Sequence, residues 1–182
     1  MHLEPKENAR FFKLWLGLCV FYNNKHKVTK SLIARTGDRI DTDAVATVAH
    51  ELWDHMDIID EFIDAKNDLS GTDIKILRKW KSKYVRGPFA VLRHTKHYSV
   101  FLDNNESTLY GVIGISDPIS SQVPENLLPL VLDTILLPYG NRIIYDGIVH
   151  IYPEHLPSPG LKNKLEGLYT KIIEEKGIVT FL

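Results

Sequence analysis

A single cysteine, Cys19, stands among 182 residues, so no disulfide can form within the chain. That usage fits a reducing compartment and leads us to expect a cytoplasmic protein. Cys19 lies inside an apolar run and reads as a small buried hydrophobe rather than a nucleophile. Charge of one sign is also missing, because 22 Lys and Arg face 23 Asp and Glu. No global field draws the chain to nucleic acid or an anionic membrane, and any such affinity has to come from a local patch. No apolar run approaches the ~20 residues of a spanning helix. The stretch from Phe11 to Tyr22 follows Lys6 and Arg10 in the manner of a signal peptide. Lys13 interrupts it, however, and Asn23-Asn24-Lys25-His26 stands where a small-residue cleavage site would be. There is no Walker loop and no dinucleotide fingerprint. Gly114-Ile115-Ser116 does not continue into a nucleophile elbow, since position 118 is proline. No repeat or low-complexity tract is present.

What the chain does have is a β-rich centre from Pro129 to Pro153. Two apolar, β-branched runs are joined across Gly140-Asn141, residues that tolerate the positive φ of a tight hairpin turn. Leu130, Leu132 and Leu136 occupy one parity of the first run, and Val131, Ile135 and Leu137 the other. Strands apolar on both faces are covered on both sides. Upstream, Glu4 to Tyr22 reads as a helix, and the mixed segment after it carries a turn at Thr36-Gly37-Asp38. From an N-cap at Asp41 or Thr42 to Asn67, Val45, Val48, Leu52, Met56, Ile59 and Ile63 keep helical spacing. A third helix starts at Thr72 or Asp73 and ends by Arg86-Gly87-Pro88. Short strands are expected at Phe89–His94, Tyr98–Leu102 and Leu109–Ile115. After the hairpin, Ser158 and Pro159 open a C-terminal helix carrying Leu161, Leu165, Leu168 and Ile172, which Gly177 closes. The last five residues are expected to add an edge strand or pair with another chain, a route to a homo-oligomer.

These elements predict an α+β domain over 1–182, in which a helical N-terminal half of about three helices packs on an antiparallel meander of about five strands. The helical part spans 1–87, the strand-rich part 88–152, and the C-terminal helix and tail 153–182.

Four constellations could carry chemistry. His50-Glu51-Leu52-Trp53-Asp54-His55 resembles a zincin helix, but its histidines are five apart and fall on different faces. His94 and His97 flank a turn where two imidazoles would face each other and could share a metal, against the plainer reading that both are solvated. Asp133, Tyr145 and Asp146 are polar residues on strands expected to be buried; they could supply an acid or base, or hold a hydrogen-bond network. From Lys75 to Lys96 there are basic residues and no acid, with Trp80, Tyr84 and Tyr98 interleaved. Lys75, Arg78, Lys79, Lys83 and Arg86 are the candidates there for contact with phosphates or a partner. The alternative is that the acids Asp54, Asp57, Asp60, Glu61 and Asp64 neutralise them.

Tyr110-Gly-Val-Ile-Gly-Ile-Ser-Asp-Pro118, with Leu136-Leu-Pro-Tyr139 and Ile143-Ile-Tyr-Asp-Gly147, resembles a pattern of uncharacterised bacterial proteins. The resemblance covers residues 88 to 150. It implies the hairpin and a bacterial origin, and brings no activity with it. The expectation is a binding or regulatory module without cofactor or membrane association, contacting a protein or nucleic acid. The competing expectation is a hydrolase using Asp146, Tyr145 or a histidine-bound metal.

Overall fold

The computed structural model describes residues 1–30, 41–151 and 159–182. The predicted turn at Thr36-Gly37-Asp38 and the predicted cap Ser158 lie outside these residues. Two compact units are present, Lys6–Ser82 and Met1–Pro5 with Lys83–Leu182.

The first unit is helical. It comprises α1 (Pro5–His26), α2 (Thr42–Leu52), α3 (Ile58–Ala65) and α4 (Gly71–Lys83). Asp41 caps α2, its Oδ1 accepting from the amides of Asp43 and Ala44 at 3.1 Å each. The single long helix expected to run to Asn67 is in fact two. Its end tightens into three-residue bonds, with Asp54 N donating to Glu51 O and His55 N to Leu52 O. Trp53, 2% exposed, turns inward there and stacks on Trp15 at 5.4 Å. The apolar spacing runs across this break without losing phase, because Val48, Leu52 and Ile59 are each fully buried on either side of it. Periodicity alone therefore cannot detect the interruption.

α4 starts one residue earlier than its sequence suggests. Ser70 Oγ accepts from Asp73 N at 3.2 Å, while Asp73 Oδ2 accepts from the Ser70 amide at 2.9 Å and hydroxyl at 2.6 Å. This is a reciprocal capping box. Burial pushes the Asp73 carboxyl up, but the two Ser70 bonds and the Arg10 and Lys13 charges outweigh that and hold it below the ordinary aspartate value. A lowered folded-state pKa gives stability that is present above the unfolded value of about 3.9 and lost as pH falls through the folded one. Ser70→Ala is accordingly expected to cost about 1 kcal/mol at neutral pH and clearly less at pH 2. Urea unfolding at the two pH values checks this, and an equal loss at both would contradict it.

The second unit is built on a seven-stranded mixed sheet among the described residues. Its strands are β1 (Val85–His94), β2 (Ser99–Asp103), β3 (Leu109–Ile113), β4 (Leu130–Tyr139), β5 (Arg142–Tyr145), β6 (His150–Ile151) and β7 (Ile178–Val179), with α5 (Pro159–Glu175) between the last two. A simple antiparallel meander is not what forms. β1 pairs antiparallel with both β2 and β4, and β3 pairs in parallel with β5. The pairings β1-β2-β3-β5-β4-β1 close a five-stranded ring. Two features explain the departure. The connection from β3 carries the 3-10 turns Ile119–Ser121 and Glu125–Leu127, long enough to bring β4 beside β1 instead of β3. The predicted helix stop Gly87-Pro88 lies inside β1, which pairs with β4 from Val85 to Val91 and with β2 from Phe89 to His94, the latter with a register shift between Val91 and Arg93.

The β4–β5 hairpin turns at Gly140-Asn141 as read, although only Gly140 takes a positive φ, of 63°. Leu132, Leu136, Leu137, Ile143 and Ile144 are each 0% exposed, so this ribbon belongs to the innermost layer of its unit. α5 lies on the outer side of β1–β3. Leu165 and Ile172 pack with Leu92, Val100, Leu102 and Leu109, whereas Leu161 stays exposed. The Arg93 guanidinium sits 3.7 Å from the Tyr169 ring centroid and pairs with Glu166, tying helix to strand. Past Gly177, β7 pairs in parallel with Leu109 and Tyr110, so the tail joins its own sheet.

Candidate functional site

The buried polar residues Thr134, Tyr145 and Asp146 of the second unit are used in bonds. Asp146 is 2% exposed and stands at the bend between β5 and β6, followed by Gly147 at φ 88°. Its amide donates to Ile135 O at 2.9 Å, and its Oδ1 accepts from Ile148 N at 3.1 Å. The Thr134 hydroxyl donates to Ile148 O at 2.7 Å and lies 3.3 Å from the same carboxylate oxygen. Side chains thus replace ladder bonds where the strand is interrupted. Asp133, expected to be buried, is half-exposed. Successive strand residues alternate faces, so it points away from the side Thr134 occupies, opposite Pro88 and His150 on the flanking strands. The fold therefore does not bring Asp133 and Asp146 into one cleft.

Tyr145 accepts from Gln122 Nε2 at 2.8 Å. Burial raises its phenol pKa; the Gln122 bond opposes this, and the Asp146 and Asp117 charges add to it. Tyr145, Gln122 and Thr134 line a small apolar space with Phe101, Leu132 and Val149. It has room for about one water molecule, too little for an organic substrate.

The histidines expected to face each other across the first hairpin do not. His94 pairs with Ser99, because Thr95–Tyr98 forms the turn, closed by Thr95 N donating to Tyr98 O at 2.8 Å. The His94 Nδ1 lies 2.7 Å from Ser99 Oγ, and its Nε2 is 2.8 Å from the Val123 carbonyl. Since a carbonyl only accepts, Nε2 carries a proton, and neither ring nitrogen offers a lone pair free for metal. His97 is exposed. In the helical unit, His55 Nδ1 contacts Glu51 O at 3.0 Å and Tyr22 Oη at 3.1 Å, and His26 stacks on Tyr22 at 4.4 Å. This ring cluster joins α1 to the end of α2, and no local spacing announces it. Among the described residues no group of three or more His, Cys, Asp or Glu is placed to hold a metal ion.

The basic run is distributed over several tasks. Lys81 binds Asp57 and Asp60 at 2.6 Å each. Those two hydrogen bonds raise the Lys81 pKa, and the Lys81 bond lowers that of Asp57. Arg93 fastens α5, and Arg86 lies on β1 of the other unit. Trp80 is 0% exposed and packs edge-on against Phe11 at 5.6 Å, so it offers no stacking surface. What remains is Lys75, Arg78, Lys79 and Lys83, all exposed along α4 at spacings of three and four. None makes an ion pair among the described residues. Among the described residues those acids neutralise α4 only through Lys81.

On the side of β2 and β3 that α5 covers, Val100, Leu102 and Leu109 form a buried aliphatic patch.

No protein-family model matches the chain, and comparison with curated proteins and with solved structures returns no match. Among the described residues no helix is long and apolar enough to cross a membrane.

Proposed function

We propose that the chain is a small non-catalytic binding or regulatory module that meets its partner, a protein or a nucleic acid, through the exposed cationic stripe of α4. One observation carries the reading: Lys75, Arg78, Lys79 and Lys83 stay exposed without a counter-ion among the described residues, while Asp57 and Asp60 pair with Lys81 and Glu61 with Lys25. Unscreened like charges on one helix face repel, so holding them together has a cost that an anionic partner removes. The bonded state of Tyr145, Asp146 and His94 supports a module without catalysis. The test is retention of the full chain on an immobilised polyanion such as heparin at low salt. The wild-type chain is expected to be retained, and the Lys75→Glu, Lys79→Glu double variant to pass through. Equal elution of the two would contradict the reading.

A further inference from the structure

We infer that the partner of the α4 stripe is the phosphate backbone of a double-stranded nucleic acid, bound without base-sequence preference; this rests on the reading above.

The outward side of α4 is unusually uniform. Its exposed residues after Gly71 are Thr72, Lys75, Arg78, Lys79, Ser82 and Lys83, with neither an acid nor an apolar side chain among them. Protein interfaces draw their affinity from a buried core of aromatic and apolar anchors. This face has none to bury. A helix lying on a membrane needs an exposed apolar side, which is equally missing. Single-stranded nucleic acid gains about 1–3 kcal/mol per base from stacking on aromatic rings. The one aromatic of α4, Trp80, is turned fully inward.

Duplex backbone asks only for what the face has. Its charge density is about one phosphate per 1.7 Å of axis, and its contacts come from Lys, Arg and small hydroxyl side chains. Lys75, Lys79 and Lys83 succeed one another at about 6 Å along the helix, with Arg78 beside them. Thr72 and Ser82 are short and let the helix approach closely. The helix end plays no part, because the Ser70–Asp73 box occupies the Ser70 and Asp73 amides and puts a carboxylate there. The face has no amide to read adenine and no carboxylate to read cytosine; Arg78 is its one fork able to pair with a guanine edge, and a single such contact beside three lysines leaves phosphate contact dominant.

The experiment is fluorescence anisotropy of the full chain with a labelled 20-base-pair DNA duplex, the corresponding single strand, and phosphatidylserine vesicles as competitor. With three cations engaged, log affinity should fall against log salt with a slope of about −2.7, weakening binding roughly 40-fold between 50 and 200 mM. Lys75→Ala and Lys79→Ala should each lower that slope by about 1, with circular dichroism confirming the fold. Shuffling the duplex sequence should change nothing. Polyanion retention that depends on Lys75 and Lys79, with no duplex binding at 50 mM salt, would overturn this inference and leave the binding module standing. Single strand bound as tightly as duplex, or duplex displaced by vesicles at equal charge, would overturn it as well.

Discussion

Gly114→Ala is expected to cost on the order of 4 kcal/mol, among the largest losses a single substitution produces. A Cβ at this position would lie 1.8 Å from the Asp117 carbonyl oxygen and 2.8 Å from its carbon. Both are backbone atoms, so no side chain can swing away to make room. Gly114 is also fixed from the other side, its amide donating to Met1 O at 3.1 Å and its carbonyl accepting from Leu3 N at 3.2 Å. The chain terminus, the end of β3 and the Asp117-Pro118 turn therefore meet at one residue that must lack a side chain. Gly167→Ala serves as the control. Nothing lies within 4 Å of its would-be Cβ, and it sits in α5, where alanine should add about 0.5–1 kcal/mol. Urea unfolding of the two variants gives the comparison, and a Gly114→Ala loss below about 1 kcal/mol would show that the turn yields.

The second large effect is expected at Trp80. Trp80→Ala should destabilise the helical unit by about 3–5 kcal/mol, because a fully buried indole packed on Phe11 leaves a cavity that its neighbours cannot fill. Lys79→Ala, one residue away and exposed, should change stability by no more than about 0.5 kcal/mol. The pair separates two meanings of an aromatic placed among basic residues. A Trp80→Ala protein with unchanged stability and weakened nucleic-acid binding would mean that the indole is a stacking platform.

The β4–β5 ribbon was legible in the sequence because its signals are local. Gly140-Asn141 marks a turn, and runs apolar on both parities mark burial. A helix cap at Asp41 or Thr42 was readable for the same reason, and Asp41 is the one that caps. Closure of the ring was not, since the pairing of β1 with β4 joins residues about forty to fifty positions apart and no short-range pattern encodes it. Pro88 misled in the opposite direction. It ends helices reliably, yet β1 runs through it to reach both partners. The break at Trp53 escaped because the apolar phase is the same on both sides.

At the candidate site the sequence showed which residues are charged, and the fold showed which of them are occupied. Lys81 and Arg93 look like Lys75 and Lys79 in the sequence but are committed to Asp57, Asp60, Glu166 and Tyr169. His94 and His97 were expected to face each other on the assumption of a two-residue turn. A four-residue turn moves the pairing to Ser99. The Tyr110–Pro118 pattern also gains a structural reason. Gly111 leaves space for the Tyr98 ring, which would stand 3.0 Å from an added Cβ, and Gly114 admits the Asp117 carbonyl.

The most direct measurement is an amide-shift titration of the isotopically labelled chain with a short DNA duplex at low salt. The exposed cationic side of α4 as the contact surface requires the largest changes at Lys75, Arg78, Lys79 and Lys83, fading as salt is added. Changes centred on α5 or the strands of the ring, with α4 silent, would contradict it.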